Sequence, residues 1–245
     1  MQASPGTTED SASTSFAPKP RAWISWSSGK DSAWALHTLR QQGQIEVVGL
    51  LTTVTTPYGR ASMHAVRDEI LDAQAAALGL PLCRVPIPVP CPNETYQAAM
   101  AEAVKRAQQE AVRYMVFGDL YLEDVRAYRE AQLAGTGIEP LFPLWGRPTA
   151  ELAREMISAG LVAHVTCLDP RKVPRRFAGR RFDAELLAQL PVEVDPCAER
   201  GEFHTCVCAG PMFSHPIRVR VGEIVERDGF VFTDLLLADG DAYAQ

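Results

Sequence analysis

The sequence predicts an α/β fold, a doubly wound and mostly parallel sheet followed by a smaller mixed α+β C-terminal portion. Three observations carry this. Between residues 22 and 166, short apolar and β-branched runs alternate with amphipathic stretches. Glycines stand where the amphipathic stretches should stop. Beyond residue 169 the texture changes to basic, turn-rich and then alternating sequence. Alternation of the first kind implies right-handed crossovers and a sheet covered on both faces.

Taken in order, residues 22–26 (AWISW) form the first strand, and 30–42 form a helix stopped by Gly43. Residues 46–55 (EVVGLLTTVT) read as a buried strand. In 64–78, Val66, Ile70, Ala73 and Ala77 share one helical face before Gly79. Residues 82–86 are a third strand. Met100, Ala103, Val104, Ala107 and Ala111 mark the next helix, and 113–117 (RYMVF) a fourth strand ending at Gly118-Asp119. A helix over about 122–133 follows, then a further helix–strand pair at 150–158 and 161–166. Residues 170–181 (PRKVPRRFAGRR) are basic and loop-like, 182–190 a short helix, and 195–213 turn-rich. Residues 217–237 alternate like antiparallel strands turned at Asp228-Gly229. The expected division is a disordered tail over 1–20, an α/β domain over 21–140 and a C-terminal domain over 141–245.

Composition narrows the function. The chain has 245 residues, 47% apolar and 22% charged, enough to build a core, which excludes global disorder. A net charge of −6 argues against binding a nucleic-acid backbone. No apolar run suits a membrane helix, and the first twenty residues lack a secretory pattern. Six cysteines without a CxxC pair do not make a disulfide scaffold. The expectation is a cytoplasmic protein with reduced thiols and no membrane partner.

The chemistry is concentrated at Ser27-Ser28-Gly29-Lys30-Asp31-Ser32, between the first strand and its helix. Ligands of such sheets sit at the carboxyl ends of strands, and a helix N-terminus there suits an anion. Gly29 permits close backbone approach, Lys30 adds a charge, and the hydroxyls of Ser25, Ser27, Ser28 and Ser32 can donate. It is not a Walker loop: Ile24 holds the first-glycine position and Asp31 follows the lysine. A dinucleotide fingerprint is absent as well.

This loop resembles the pyrophosphate loop of the N-type ATP pyrophosphatases, the adenine nucleotide alpha-hydrolase superfamily. Within it, residues 22–215 are similar to the diphthine–ammonia ligase family. The matching pieces are Met63-His64-x-x-Arg67, Pro90-Cys91-Pro92-Asn93-Glu94-x-Tyr96, Gly118-Asp119 through Arg126-x-x-Arg129-Glu130, Pro143-Leu144-Trp145, Asp169-Pro170-Arg171 and, most specific, 195–205 (DPCAERGEFHT) with Gly210-Pro211-Met212-Phe213. Ser28 stands where the family often has a second glycine, and Ala198 where glycine is usual.

The resemblance implies a ligase that adenylates a carboxylate, turning ATP into AMP and pyrophosphate, and then amidates it with ammonia. ATP would lie on Ser25, Ser27, Ser28, Gly29, Lys30, Asp31 and Ser32, with its adenine near Leu51, Thr52 and Thr53. Mg²⁺ would come with the phosphates, with Asp31 helping and no protein cage. Lys30, Asp31, Glu199 and Glu202 are the expected catalytic residues, the two glutamates as ammonium site or general base. His64, Arg67, Gly118, Asp119, Arg126, Arg129, Glu130, Cys197, Gly201, Phe203, His204 and Thr205 are the expected substrate contacts. On spacing alone Arg126, Arg129 and Glu130 equally suit a solvated salt-bridged helix face. The acceptor is expected to be a carboxylate, one carrier being the modified histidine of elongation factor 2. Two rival readings are an ATP-dependent tRNA-thiolating enzyme and a nucleotide-binding sensor without turnover.

Overall fold

A computed structural model describes residues 18–56, 60–61 and 66–238. Most of the expected tail, and His64, lie outside the described residues. The chain enters through the centre of a sheet. Strand β1 (Arg21–Ser25) leads into helix α1 (Lys30–Gln42), then β2 (Glu46–Thr55), a two-residue β3 (Arg60–Ala61), α2 (Asp68–Leu78) and β4 (Leu82–Ile87). Helix α3 (Asn93–Gln109), β5 (Val112–Val116), α4 (Glu123–Leu133) and β6 (Glu139–Leu141) complete this part. The sheet order is β4-β2-β1-β5-β6, every pairing parallel, with β3 antiparallel to the end of β2.

The chain therefore builds outward from β1 to one edge and returns on the other side through β5. The carboxyl ends of β1 and β5 flank the switch point, where such sheets hold ligands. Side chains alternate between two apolar layers, as strand geometry demands. Trp23, Leu51 and Met115 pack with Val104 and Leu133 of α3 and α4. Ile24, Leu50 and Val116 pack with Trp34 of α1, Ile70 of α2 and the C-terminal part.

That part holds α5 (Thr149–Ser158), β7 (Val162–Leu168), α6 (Ala184–Gln189), β8 (Phe203–Ala209), β9 (Val219–Arg227) and β10 (Phe230–Leu237). Its four strands form an antiparallel sheet ordered β8-β7-β10-β9. The expected fold class is thus what the chain adopts, with two local corrections. The helix–strand pair after residue 150 does not extend the parallel sheet; β7 opens the second one, and the short β6 takes the edge position. The stretch 195–213, expected to be turn-rich, contains β8, whose residues are mostly buried and so lack an alternating polar signature. The β9–β10 hairpin turns at Asp228 and Gly229, with φ of 52° and 78° as a tight turn of this type requires. Among the described residues no helix is long and apolar enough to cross a membrane.

Candidate active site

A cleft of about 870 Å³ opens at the switch point and continues over the sheet between α3 and α4. Ser25, Ser27, Lys30, Asp31 and Ser32 line it from β1 and the loop, Leu51, Thr52 and Thr53 from the end of β2, and Gly118, Asp119 and Arg129 from beyond β5. Cys197, Glu199, Gly201, Phe203, His204 and Thr205 close it from the C-terminal part. One cavity therefore gathers residues expected to bind nucleotide and residues expected to bind substrate.

The approach of the elements is tight. A Cβ on Gly118 would lie 2.8 Å from the backbone of Asp31 and Ser32, so only glycine lets the end of β5 pass the first turn of α1. The Ser27 and Ser32 hydroxyls meet at 3.1 Å, and Gly29 N donates to Ser27 Oγ at 3.3 Å. Strand β8 is built into the loop: Lys30 N donates to Thr205 Oγ1 (3.1 Å) and Val207 N to Ser28 O (2.9 Å).

Of the expected loop contacts, Ser28, Gly29, Lys30 and Ser32 are buried, and two of them, Ser28 and Gly29, do not line the cleft. The Ser28 side chain is fully buried and does not line the cleft, so it is not placed to donate to a phosphate there. Its φ is 68°, a left-handed conformation that costs a non-glycine residue roughly 1–2 kcal/mol. Lys30 is 2% exposed. Its Nζ donates to Asp31 Oδ2 (2.8 Å) and to the Cys197 carbonyl, and it lies 5.6 and 5.8 Å from the ring centres of Phe182 and Phe203. Burial works against its charge, but the facing Asp31 carboxylate outweighs that and holds the pKa above the usual lysine value. Lys30 thus ties the loop to the C-terminal part as well as bordering the cleft. Asp31 Oδ1 is buried with no hydrogen-bond partner among the described residues, and a hard oxygen of that kind fits Mg²⁺ carried in on phosphates.

Opposite the loop, Asp195 organises the 195–199 turn. Its carboxylate accepts from Cys197 N (3.0 Å), Glu199 N (3.2 Å) and the Tyr121 hydroxyl (2.9 Å). Burial alone would raise its pKa, but the Thr149 hydroxyl together with these donors brings it below the usual carboxylate range. Ala198, inside the turn, has φ of 59°. Glu199 reaches back across the cleft, where Oε1 accepts from Leu120 N (2.7 Å) and Tyr121 N (3.3 Å). Burial, reinforced by Asp31 and Asp119 and opposed by those amides, pushes its carboxyl up to about 7. Asp119 is also raised, by burial, with Arg129 pulling the other way at 3.7 Å.

Other expected residues lie elsewhere. Glu202 is 2% exposed and outside the cleft, its Oε1 accepting from Asp195 N. Arg67 makes a bidentate pair with Asp234 of β10 (2.9 and 2.6 Å). Arg126 lies over Phe142 and Trp145, 5.0 and 4.8 Å from their centres, and pairs with Glu130 at 2.8 Å. Of that helix trio, Arg129 alone borders the cleft. Burial pushes the Cys197 thiol up to about 12. Sequence reasoning passed over Gln74, Tyr121 and Asp195; the last stands in the recognised 195–205 segment, whereas Gln74 reads only as a polar break in an apolar helix face.

Two family models match the chain. One described as the diphthamide synthase N-terminal domain covers residues 21–138, and one described as the diphthamide synthase C-terminal domain covers 148–234. No curated protein matches it closely enough for comparison.

Proposed function

The chain belongs to the diphthamide synthase family, and from that premise we propose that it is an ATP-dependent ligase of the diphthine–ammonia ligase type. It adenylates a carboxylate and amidates it with ammonia. The observation that carries this reading is the pairing, across one cleft, of the helix-capping loop 27–32 with a glutamate whose carboxyl is pushed up to about 7.

The acceptor carboxylate attacks the α-phosphorus, the bond to the β-phosphate oxygen breaks, and pyrophosphate departs. The loop amides and the N-terminus of α1 hold the phosphates where charge develops. Mg²⁺ bound beside Asp31 would offset phosphate charge. Ammonia then attacks the acyl carbon and AMP leaves with the carbon–oxygen bond electrons. Near neutral pH Glu199 is split between its two forms, so it takes the proton that nitrogen sheds. Arg129, beside Asp119, faces the anionic acceptor. The acceptor is a carboxylate on a small molecule or a protein, elongation factor 2 among the protein candidates.

Phosphorus NMR of the protein with Mg-ATP and ammonium tests the class. AMP and pyrophosphate support it, and ADP with phosphate overturns it. Thiolation of RNA is disfavoured by Cys197, the cysteine lining the cleft, because a thiol at about 12 stays protonated and carries sulfur poorly.

A further inference from the structure

Gln74 lies in the middle of α2 and is fully buried. Its Nε2 reaches the Cys206 sulfur at 3.6 Å, and its other three partners are of fixed polarity. Trp26 Nε1 can only donate, and does so to Oε1 at 2.8 Å. The carbonyls of Ser28 and Val207 can only accept, and take Nε2 at 3.1 and 2.8 Å. The amide orientation is therefore dictated, and both N–H groups are used. Glutamate would bring no donor to the two carbonyls when ionised and only one when protonated; leucine would bring nothing polar.

The partners come from the end of β1, the loop and β8. Ser28 O is held twice, by Gln74 and by Val207 N at 2.9 Å. In a trans peptide the carbonyl and the following N–H point in opposite directions. Anchoring Ser28 O on α2 and β8 therefore turns the Gly29 N–H the other way, toward Ser27 Oγ on the cleft wall. The same two bonds hold Ser28 in its left-handed conformation.

We propose that Gln74 is the positioning residue of the phosphate loop: it fixes the Ser28–Gly29 peptide so that Gly29 N–H holds the Ser27 hydroxyl on the cleft wall, where it serves the nucleotide, and it makes that geometry depend on the docked strand β8. The proposal rests on the ATP-ligase reading for the identity of the ligand, and on the loop geometry for everything else.

The test uses the full chain. Gln74→Glu keeps the shape and leaves at least one of the two carbonyls facing a carboxyl oxygen with no donor. The expected result is a rise of at least tenfold in the KM for Mg-ATP with the KM for ammonium unchanged. Without nucleotide, amide exchange at residues 29–32 should quicken at least tenfold. Trp26→Phe, which keeps a ring but removes the donor to Oε1, should move both readouts the same way by a smaller factor. Leu235→Ala, in β10, lowers stability and should leave both unchanged. The proposal is overturned if Gln74→Glu lowers the melting temperature as Leu235→Ala does yet leaves exchange at 29–32 at the parent rate. Should Gln74→Glu not fold, Trp26→Phe decides by the same criterion. A parent protein that binds no ATP would sink the ligase reading, and exchange at 29–32 would still decide the clamp.

Discussion

Glu199→Gln should separate the two stability–pH curves. The folded protein holds a proton on Glu199 up to about pH 7, whereas an unfolded glutamate loses it near 4.5. A carboxyl raised in this way contributes its full stability below the unfolded value, and loses it as pH rises through the folded value. The shift corresponds to about 3 kcal/mol at most. The side chain borders an open cleft, so solvent screening reduces this to about 1–2 kcal/mol. Glutamine keeps an oxygen for the Leu120 and Tyr121 amides and cannot ionise. The variant should match the parent at pH 4.5 and exceed it above pH 8, by about 2–8 °C in Tm for a chain of this size. Thermal melts between pH 4.5 and 8.5 measure this. Parallel curves for the two proteins would refute the account of Glu199, and with it its assignment as the proton acceptor.

The remaining expectations concern the loop and its supports. Ala198→Gly relieves a φ of 59° at the cost of a freer unfolded chain, and should stabilise by about 0.5–1 kcal/mol in urea unfolding. Gly118→Ala drives a methyl into the backbone of Asp31 and Ser32, and should cost about 1–3 kcal/mol and weaken Mg-ATP binding by calorimetry. Lys30→Met leaves the half-buried Asp31 at the cleft wall without its cation, and should cost about 1–3 kcal/mol. Adding Asp31→Asn should recover part of that loss, and a double-mutant cycle with zero coupling would contradict the Lys30–Asp31 pair.

What could be read from the residues was what is local. The loop 27–32, with a strand before it and a helix after, needs no distant partner to be recognised. The bounds of α1 and β2 agree with apolar period and a glycine stop. The destination of β7 could not be read, because an apolar run states that a strand is buried but not in which sheet. Nor could the inward turn of Lys30, whose partners Cys197, Phe182 and Phe203 are more than 150 residues away. Arg126 presents the same charge whether it waits for an anion or rests on Phe142 and Trp145; only the packed chain distinguishes them. Gln74 was hidden because its partners converge only after both sheets form.

Strand β8 gives Phe203, His204 and Thr205 to the cleft wall, and Val207 to the back of the loop. The two halves of this chain are therefore not interchangeable modules. A hybrid that joined the first half to a relative's second half would inherit a foreign mould for its own loop 27–32, and under the proposed ligase reading its affinity for ATP would follow the donor of β8 rather than the donor of residues 27–32.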